Sequence, residues 1–190
     1  GGGGVRVLVI HGPNLQLLGT REPEIYGRTT LQAIDGRLKA LGRALGAFVE
    51  CRQSNHEGEI VPWIGAAPGQ FDGLILNPAA YTHTSVAIRD ALAAVGLPAV
   101  EVHLSNVYRR EAFRRRSLVA PVVLGTVSGL GALGYELALV GLLAHLRGQA
   151  VADVFGGLAG DGENSGAAGG FGKSGGENPA LKAPELGEKN

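Results

Sequence analysis

Several features that direct a protein to particular chemistry are scarce in this sequence. Its single cysteine, Cys51, cannot form an internal disulfide, and it lies in a stretch typical of a strand, where a buried and inert thiol is expected. No uninterrupted apolar run approaches the roughly 18 residues that a membrane-spanning helix needs. The first residues, Gly1–Gly4 followed by Val5, do not resemble a secretory signal. We therefore expect a soluble, cytoplasmic protein.

An excess of charge and the common cofactor motifs are also missing. The 17 basic and 17 acidic residues balance, which gives no electrostatic case for binding nucleic acid or an anionic membrane. The sequence has no cysteine pair and no His-x-x-x-His spacing of the kind that binds zinc. It also has no G-x-G-x-x-G after its first strand and no Walker-type loop. Redox, nucleotide and simple metal chemistry are therefore not indicated.

Composition changes sharply near residue 148. The segment before it mixes apolar runs with amphipathic periods, whereas the segment after it is dominated by Gly, Ala, Ser and acidic residues without an apolar period. Such a segment cannot bury enough surface to offset its chain entropy. We expect a flexible start at residues 1–4, one folded domain at residues 5–148 and a Gly-rich disordered tail at residues 149–190.

Short β-branched runs alternate with helical patterns in the folded domain. Expected strands are Val5–Ile10, Ala47–Gln53, Phe71–Asn77, Ala99–Leu104 and Val122–Val127. Expected helices cover the amphipathic stretch from Leu31 to Leu45, then Glu57–Ala67, Ser85–Val95, Arg109–Arg116 and Leu133–Leu146. This alternation predicts an α/β protein with a doubly wound, flavodoxin-like sheet of five parallel strands in a three-layer αβα sandwich. In such folds ligands bind beyond the carboxyl ends of the strands.

The loop after the first strand is unusually long and contains Arg21 and Tyr26. To act as a base near neutral pH, a tyrosine must have its pKa lowered by about 3 units, which corresponds to about 4 kcal/mol. A neighbouring guanidinium can supply a shift of that kind because it stabilises the phenolate. The alternative is that Tyr26 packs at a turn while Arg21 is solvated, and the loop alone leaves both open.

The third and fourth strands are also followed by polar residues. Asn77 ends the third strand and His83 precedes a helix, where Thr84 and Ser85 suit either a polar ligand or ordinary helix capping.

On the fourth strand, alternation sends Glu101, His103 and Ser105 to one face. Glu101 could then orient His103 as a proton donor, and the Leu104 and Ser105 amides could hold a carboxylate. An isolated strand histidine is more often a core residue, so the prediction depends on the three strand ends converging.

The segment Arg109–Arg116 contains five arginines and one phenylalanine. It could bind nucleic acid, but no basic excess elsewhere supports that interpretation. A short helix that supplies one or two arginines to anchor a small anionic substrate is the preferred prediction.

Taken together, five segments resemble the type II 3-dehydroquinate dehydratases. They are H-G-P-N-L-Q-L-L-G-T-R-E-P-E-I-Y-G, Q-S-N-H-E-G-E-I, I-L-N-P-A-A-Y-T-H-T-S-V-A-I-R-D-A-L, E-V-H-L-S-N and R-E-x-F-R-x-x-S. They occur in the family's order and spacing over residues 5–148. The resemblance implies a cofactor-free, metal-free hydro-lyase of the shikimate pathway that converts 3-dehydroquinate into 3-dehydroshikimate. The same chemistry serves quinate breakdown, and both roles stay open.

The resemblance also implies an anti elimination through an enolate. Tyr26 would remove the C2 proton with Arg21 lowering its pKa, Asn14 would hold a water at the enolate, and His103, oriented by Glu101, would protonate the departing hydroxyl. The binding positions implied are Asn77, His83, Leu104, Ser105 and Arg114. Asp90 would reach a neighbouring subunit's site, which implies a homo-oligomer of trimers assembled into a dodecamer.

The lysine supply agrees with this interpretation. The unrelated type I enzymes use a Schiff-base lysine, whereas Lys39 is the only lysine of residues 1–150 and is predicted to lie on a helix away from the strand ends. Two other interpretations remain: a non-enzymatic flavodoxin-like module that binds a flavin or phosphate, and an assembly protein that uses the Arg109–Arg116 segment.

Overall fold

A computed structural model describes residues 4–20, 24 and 28–156. Its strands are β1 (Val5–His11), β2 (Ala47–Gln53), β3 (Gly73–Asn77), β4 (Ala99–His103) and β5 (Gly125–Ser128). Its α-helices are α1 (Leu31–Ala44), α2 (Glu57–Gly65), α3 (Val86–Val95), α4 (Leu133–Arg147) and α5 (Val151–Val154). Five short 3-10 helices cover Leu15–Leu17, Ala79–His83, Val107–Arg109, Ala112–Arg114 and Ala120–Val122 in these described ranges.

All five strands are parallel and lie in the order β2-β1-β3-β4-β5, which confirms the flavodoxin-like prediction. The alternation of β1 divides the core between the two faces of the sheet. Val7 and Val9 pack with residues of α1 and α4, whereas Leu8 and Ile10 pack with residues of α2 and α3. A strand covered on both sides must be apolar throughout, which is why β1 reads as a continuous hydrophobic run.

Local sequence features place the helix ends. The Thr30 hydroxyl accepts a hydrogen bond from the amide of Ala33 and caps α1, and Ser85 caps α3 in the same way through Ile88. The predicted start of α3 at Ser85 is therefore one residue early. Gly96 follows the last residue of α3 and Gly148 follows the last residue of α4, both with positive φ, the conformation that glycine adopts without strain.

Further expectations differ from the structure. The predicted helix Arg109–Arg116 is wrong: two 3-10 turns, Val107–Arg109 and Ala112–Arg114, cover this region. A continuous helix here would have no apolar stripe to pack against the sheet, since Phe113, its aromatic residue, is 63% exposed. β5 begins at Gly125 rather than Val122, because a 3-10 turn containing Pro121 precedes it. β3 begins two residues later than expected, at Gly73.

The short helix α5 lies within the segment that was expected to be a tail. Its Val154 is 5% exposed and belongs to the core cluster beneath α1 and α4. Residues 157–190 of that segment and residues 1–3 lie outside the described residues. Of the helices in the described ranges, none combines the length and apolar character needed to cross a membrane.

Candidate active site

A cavity of about 330 Å³ opens at the carboxyl ends of β1, β3 and β4. That volume is at the lower end of the range for small-molecule sites, about 300 to 1,000 Å³. Seven of the residues singled out in the sequence line it: Asn14, Asn77, His83, His103, Leu104, Ser105 and Arg114. The structure therefore brings the three strand ends together.

The remaining four candidates do not line this cavity in the part of the chain that is described. Glu101 is fully buried and reaches the cavity through its bond to His103. Asp90 is exposed on α3. Arg21 and Tyr26 lie outside the described residues.

The imidazole of His103 is held by a buried carboxylate. Its Nε2 lies 2.5 Å from Oε2 of Glu101, and the side chains of the two residues are 12% and 1% exposed. A carboxylate can only accept, so Nε2 carries the proton of this hydrogen bond. The ring nitrogen that Glu101 does not hold is Nδ1, and this nitrogen is the one left to exchange a proton with a ligand in the cavity.

Two hydroxyl groups complete the surroundings of Glu101. Thr82 Oγ1 donates to Oε2, and Ser117 Oγ lies 2.8 Å from Oε1 and 3.0 Å from Oε2. Burial alone would raise the pKa of Glu101, but the hydrogen bonds from His103, Thr82 and Ser117 and the positive charge available on His103 hold this pKa below its ordinary value. Glu101 is therefore an anion at neutral pH. Neither hydroxyl was singled out in the sequence, although Ser117 closes the R-E-x-F-R-x-x-S segment.

Asn77, the last residue of β3, is fixed by bonds at both ends of its amide. Its Oδ1 accepts from the amide of Ala79 at 3.0 Å, and its Nδ2 donates to the Tyr135 hydroxyl at 3.0 Å. The backbone of Asn77 also accepts from the amide of Gly12 at 2.7 Å. A Cβ at Gly12 would lie 2.5 Å from the carbonyl oxygen of Pro78, so only glycine lets the two loops approach this closely.

Asn14 begins the loop after β1 in a left-handed conformation with φ of 68°. The backbone N–H of Asn14 donates to Oδ1 of Asn55 at 3.0 Å, and Nε2 of Gln53 donates to the same oxygen at 3.0 Å. The Tyr81 hydroxyl in turn donates to the Asn55 carbonyl at 2.6 Å. Asn55 therefore ties this loop to the ends of β2 and β3. It lies in the Q-S-N-H-E-G-E-I segment, to which the sequence reasoning gave no role.

His83 and Arg114 complete the polar lining. Nδ1 of His83 donates to the carbonyl of Arg116 at 2.7 Å, which leaves Nε2 as an acceptor when the ring is neutral. Nε of Arg114 lies 3.1 Å from Oε2 of Glu111, an ion-pair distance, but the angle is not that of a hydrogen bond, and this buried nitrogen has no hydrogen-bond partner within the described ranges. Arg114 thus has a donor to offer. Glu111 and Arg110 also line the cavity and were not singled out.

Among the described residues, three side chains of types that can bind a metal ion lie together away from the cavity: His11, Asp35 and Cys51. Their candidate ligand atoms lie within 4.8 Å of one another. His11 is already engaged, since its Nε2 lies 2.7 Å from Oδ1 of Asp35. Burial, followed by the neighbouring Asp35 carboxylate, raises the pKa of the Cys51 thiol, so the thiolate that a metal prefers is disfavoured.

The sequence matches the family model for class II dehydroquinases over residues 5–143. The chain belongs to this family. It is 58% identical over 143 residues to a 3-dehydroquinate dehydratase of Acaryochloris marina, a match that covers 75% of this chain and 96% of the relative.

The chain is also similar to solved structures of type II dehydroquinases. The type II dehydroquinase of Propionibacterium acnes is 47% identical with a TM-score of 0.71, and the match covers 73% of this chain and 96% of that one. The type II dehydroquinase of Butyrivibrio crossotus is 45% identical with a TM-score of 0.73, covering 74% of this chain and 99% of that one. The class II dehydroquinase fold thus extends over most of the described residues.

Proposed function

We propose that this class II dehydroquinase catalyses the dehydration of 3-dehydroquinate to 3-dehydroshikimate, as a hydro-lyase of the shikimate pathway. The observation that carries the proposal is the His103–Glu101 pair, with its imidazole in the wall of a polar cavity at the strand ends. The family match and the names of the relatives agree with this activity.

The chemistry suits a site built from side chains alone. The ketone of the substrate acidifies the neighbouring C2 proton, so its removal gives an enolate, and loss of the C1 hydroxyl then forms a conjugated enone. The first step needs a base and the second an acid, and neither needs an electron or hydride acceptor. We assign the acid role to His103, with Glu101 stabilising the imidazolium form that precedes proton donation.

The other roles follow from placement and from the family resemblance. We assign the enolate-stabilising water to Asn14, and the substrate's hydroxyl and carboxylate groups to Asn77, His83, Arg114 and the Leu104 and Ser105 amides. Asn14 and the five named binding residues line the cavity. The base role falls to Tyr26, with Arg21 lowering its pKa, on the loop that continues from Asn14.

We further propose a cytoplasmic homo-oligomer of trimers assembled into a dodecamer, in which Asp90 reaches the site of a neighbouring subunit. The exposure of Asp90 on α3 is compatible with that contact. Light scattering of the purified chain would measure the assembly, and a monomer with full activity would contradict the role of Asp90.

An ultraviolet assay tests the activity directly, because the enone product absorbs where the substrate does not. We expect turnover without added metal or cofactor. The Tyr26→Phe variant should lose several orders of magnitude in kcat with little change in substrate affinity. A wild-type protein that forms no enone from 3-dehydroquinate would contradict the proposed activity, and a Tyr26→Phe variant that retains its turnover would remove Tyr26 from the base role alone.

A further inference from the structure

A chain of hydrogen bonds runs from Asn77 in the cavity wall into the core, and the proposed mechanism uses none of its members beyond Asn77. Asn77 Nδ2 lies 3.0 Å from the Tyr135 hydroxyl, which lies 2.9 Å from Nδ1 of His11. Nε2 of His11 lies 2.7 Å from Oδ1 of Asp35. His11 and Tyr135 are fully buried and Asn77 is 3% exposed. The chain links β3, α4, β1 and α1, and it reaches partly exposed surface only at Asp35, whose side chain is 26% exposed.

The hydrogen bonds of this chain have a single consistent direction. The Ala79 amide can only donate, so it requires the oxygen of the Asn77 amide and turns the nitrogen towards Tyr135. At the other end the Asp35 carboxylate can only accept, so Nε2 of His11 carries a proton, and Nδ1 of the neutral ring is then an acceptor. The Tyr135 hydroxyl therefore donates to Nδ1 of His11, and its oxygen accepts the N–H of Asn77.

This direction fixes the orientation of the Asn77 amide. A flip of the amide would place its nitrogen against the Ala79 N–H, and this partly buried donor would lose its partner, at a cost of up to about 3 kcal/mol. It would also make the Tyr135 hydroxyl donate to Asn77, and Nδ1 of His11 would lose its hydrogen-bond donor. In the observed orientation no acceptor among the described residues engages the second N–H of Asn77, which leaves it for a ligand in the cavity that Asn77 lines.

The polar chain crosses a region where apolar packing would serve the fold. Tyr135 belongs to the apolar cluster formed with Val9, Leu38, Ile75 and Leu139. A hydroxyl and an imidazole buried there contribute to the fold only if each one is satisfied, and fully satisfied buried networks specify one arrangement. Burial raises the pKa of the Tyr135 hydroxyl, so it stays protonated and can act as the donor that the chain requires.

We propose that Tyr135, His11 and Asp35 are positioning residues that hold the Asn77 amide with its second N–H available to an oxygen of the substrate. The inference rests on the proposed function, because it takes Asn77 to bind a hydroxyl or carbonyl oxygen of 3-dehydroquinate. The three residues act through Asn77 and do not themselves touch the substrate.

Tyr135→Phe tests the proposal, since it removes the hydroxyl and keeps the ring. We expect the KM for 3-dehydroquinate to rise about tenfold while kcat changes less than threefold, as suits the loss of one oriented hydrogen bond. In an Asn77→Ala background the same substitution should change KM less than twofold, because the group it positions is gone. Tyr108→Phe, which removes a hydroxyl from a side chain that is 71% exposed, serves as the matched control and should leave both constants unchanged.

A second pair of variants covers the case in which Tyr135→Phe does not fold. Asp35→Asn keeps an acceptor for His11 and should stay within threefold of the wild-type KM, whereas Asp35→Ala removes the acceptor and should raise KM about fivefold. An unchanged KM in both Tyr135→Phe and Asp35→Ala would overturn the proposal, as would a full KM effect of Tyr135→Phe in the Asn77→Ala background.

A spectroscopic measurement separates this inference from the proposed activity. The ¹⁵N chemical shifts of the His11 ring report which nitrogen is protonated, whether or not the protein turns over substrate. We expect the Nε2-protonated tautomer, and an Nδ1-protonated ring would overturn the hydrogen-bond direction described above. An inactive wild-type protein with the expected tautomer would contradict the dehydratase assignment and with it the substrate role of Asn77, while active wild type with unaffected variants would contradict only the positioning role.

Discussion

The described part of the chain contains two histidine–carboxylate pairs with the same atoms in contact and opposite arrangements of burial. In His103–Glu101 the carboxylate is buried, 1% exposed, and the imidazole reaches the cavity. In His11–Asp35 the imidazole is fully buried and the carboxylate is 26% exposed. Both join Nε2 to a carboxylate oxygen, at 2.5 and 2.7 Å respectively.

The second nitrogen of each ring decides what the pair can do. Nδ1 of His11 is occupied by the Tyr135 hydroxyl at 2.9 Å, so this ring has no nitrogen left for a ligand. The His103 ring lies in the cavity wall with Nδ1 not held by Glu101. A histidine–carboxylate pair thus serves proton transfer only when the ring's other nitrogen faces a substrate; otherwise the pair is a structural connection.

The largest expected effect is the loss of the acid. His103→Ala should lower kcat about 1,000-fold, within the range of about 10² to 10⁴ attributed to general acid–base catalysis. Enolate formation precedes the acid step, so exchange of the C2 proton with deuterium should persist in this variant. His145→Ala, an exposed histidine in the last turn of α4, is the control and should keep wild-type activity. Absence of both exchange and turnover would leave the acid assignment without support.

The same carboxylate-to-amide substitution should separate the two pairs. Glu101→Gln removes the charge that stabilises the imidazolium of His103. We therefore expect kcat to fall about 10- to 100-fold, which corresponds to about 1.4 to 2.8 kcal/mol of lost stabilisation. Asp35→Asn should change kcat less than threefold, because His11 needs only an acceptor. Steady-state kinetics of the two variants measures the difference, and equal losses would show that the two pairs do not differ in role.

The regular part of the fold was predictable because its signal is local. The continuous apolar run of β1 requires both faces of that strand to be buried, and the spacing of Ile34 and Leu38 requires one face of α1 to be buried. The structure confirms both. The Arg109–Arg116 segment was predicted wrongly, because helix-forming residues without a buried stripe gain no packing energy from a helix.

The site was predictable only in part. Glu101 and His103 are two residues apart on one strand, so alternation alone puts them on one face. Thr82, Ser117 and Tyr135 reach their partners over 19, 16 and 58 residues of sequence, respectively. No short-range pattern encodes such contacts, and a lone serine or threonine is usually a cap. Their roles follow only from the folded arrangement.

The anionic state of Glu101 should be visible in acid stability. Its pKa is lowered in the folded protein, so its contribution to stability is fully present above the ordinary value of 4.5 and is lost as pH falls through the lower folded pKa. Melting temperatures measured between pH 7 and pH 3 should therefore fall more steeply for wild type than for Glu101→Gln below pH 4.5. Parallel curves for the two proteins would contradict a lowered pKa.

A small effect is expected at Ser117, which supports the His103–Glu101 pair through its bond to the carboxylate. Its hydroxyl donates to Glu101 and accepts from the amides of Val119 and Ala120, at 3.1 and 2.9 Å. Ser117→Ala should therefore lower stability by about 1 kcal/mol, which for a domain of this size is a fall in melting temperature of about 2 to 4 °C.

Because Thr82 and His103 still donate to Glu101, the kcat of Ser117→Ala should fall only about threefold. Ser128→Ala is the matched control, since the hydroxyl of Ser128 donates to the Ser105 carbonyl at 3.1 Å and does not touch Glu101. A loss of kcat in Ser117→Ala as large as that in Glu101→Gln would mean that the hydroxyl, rather than the carboxylate charge, sets the proton affinity of His103. The distinction drawn between the two histidine pairs would then have to include Ser117.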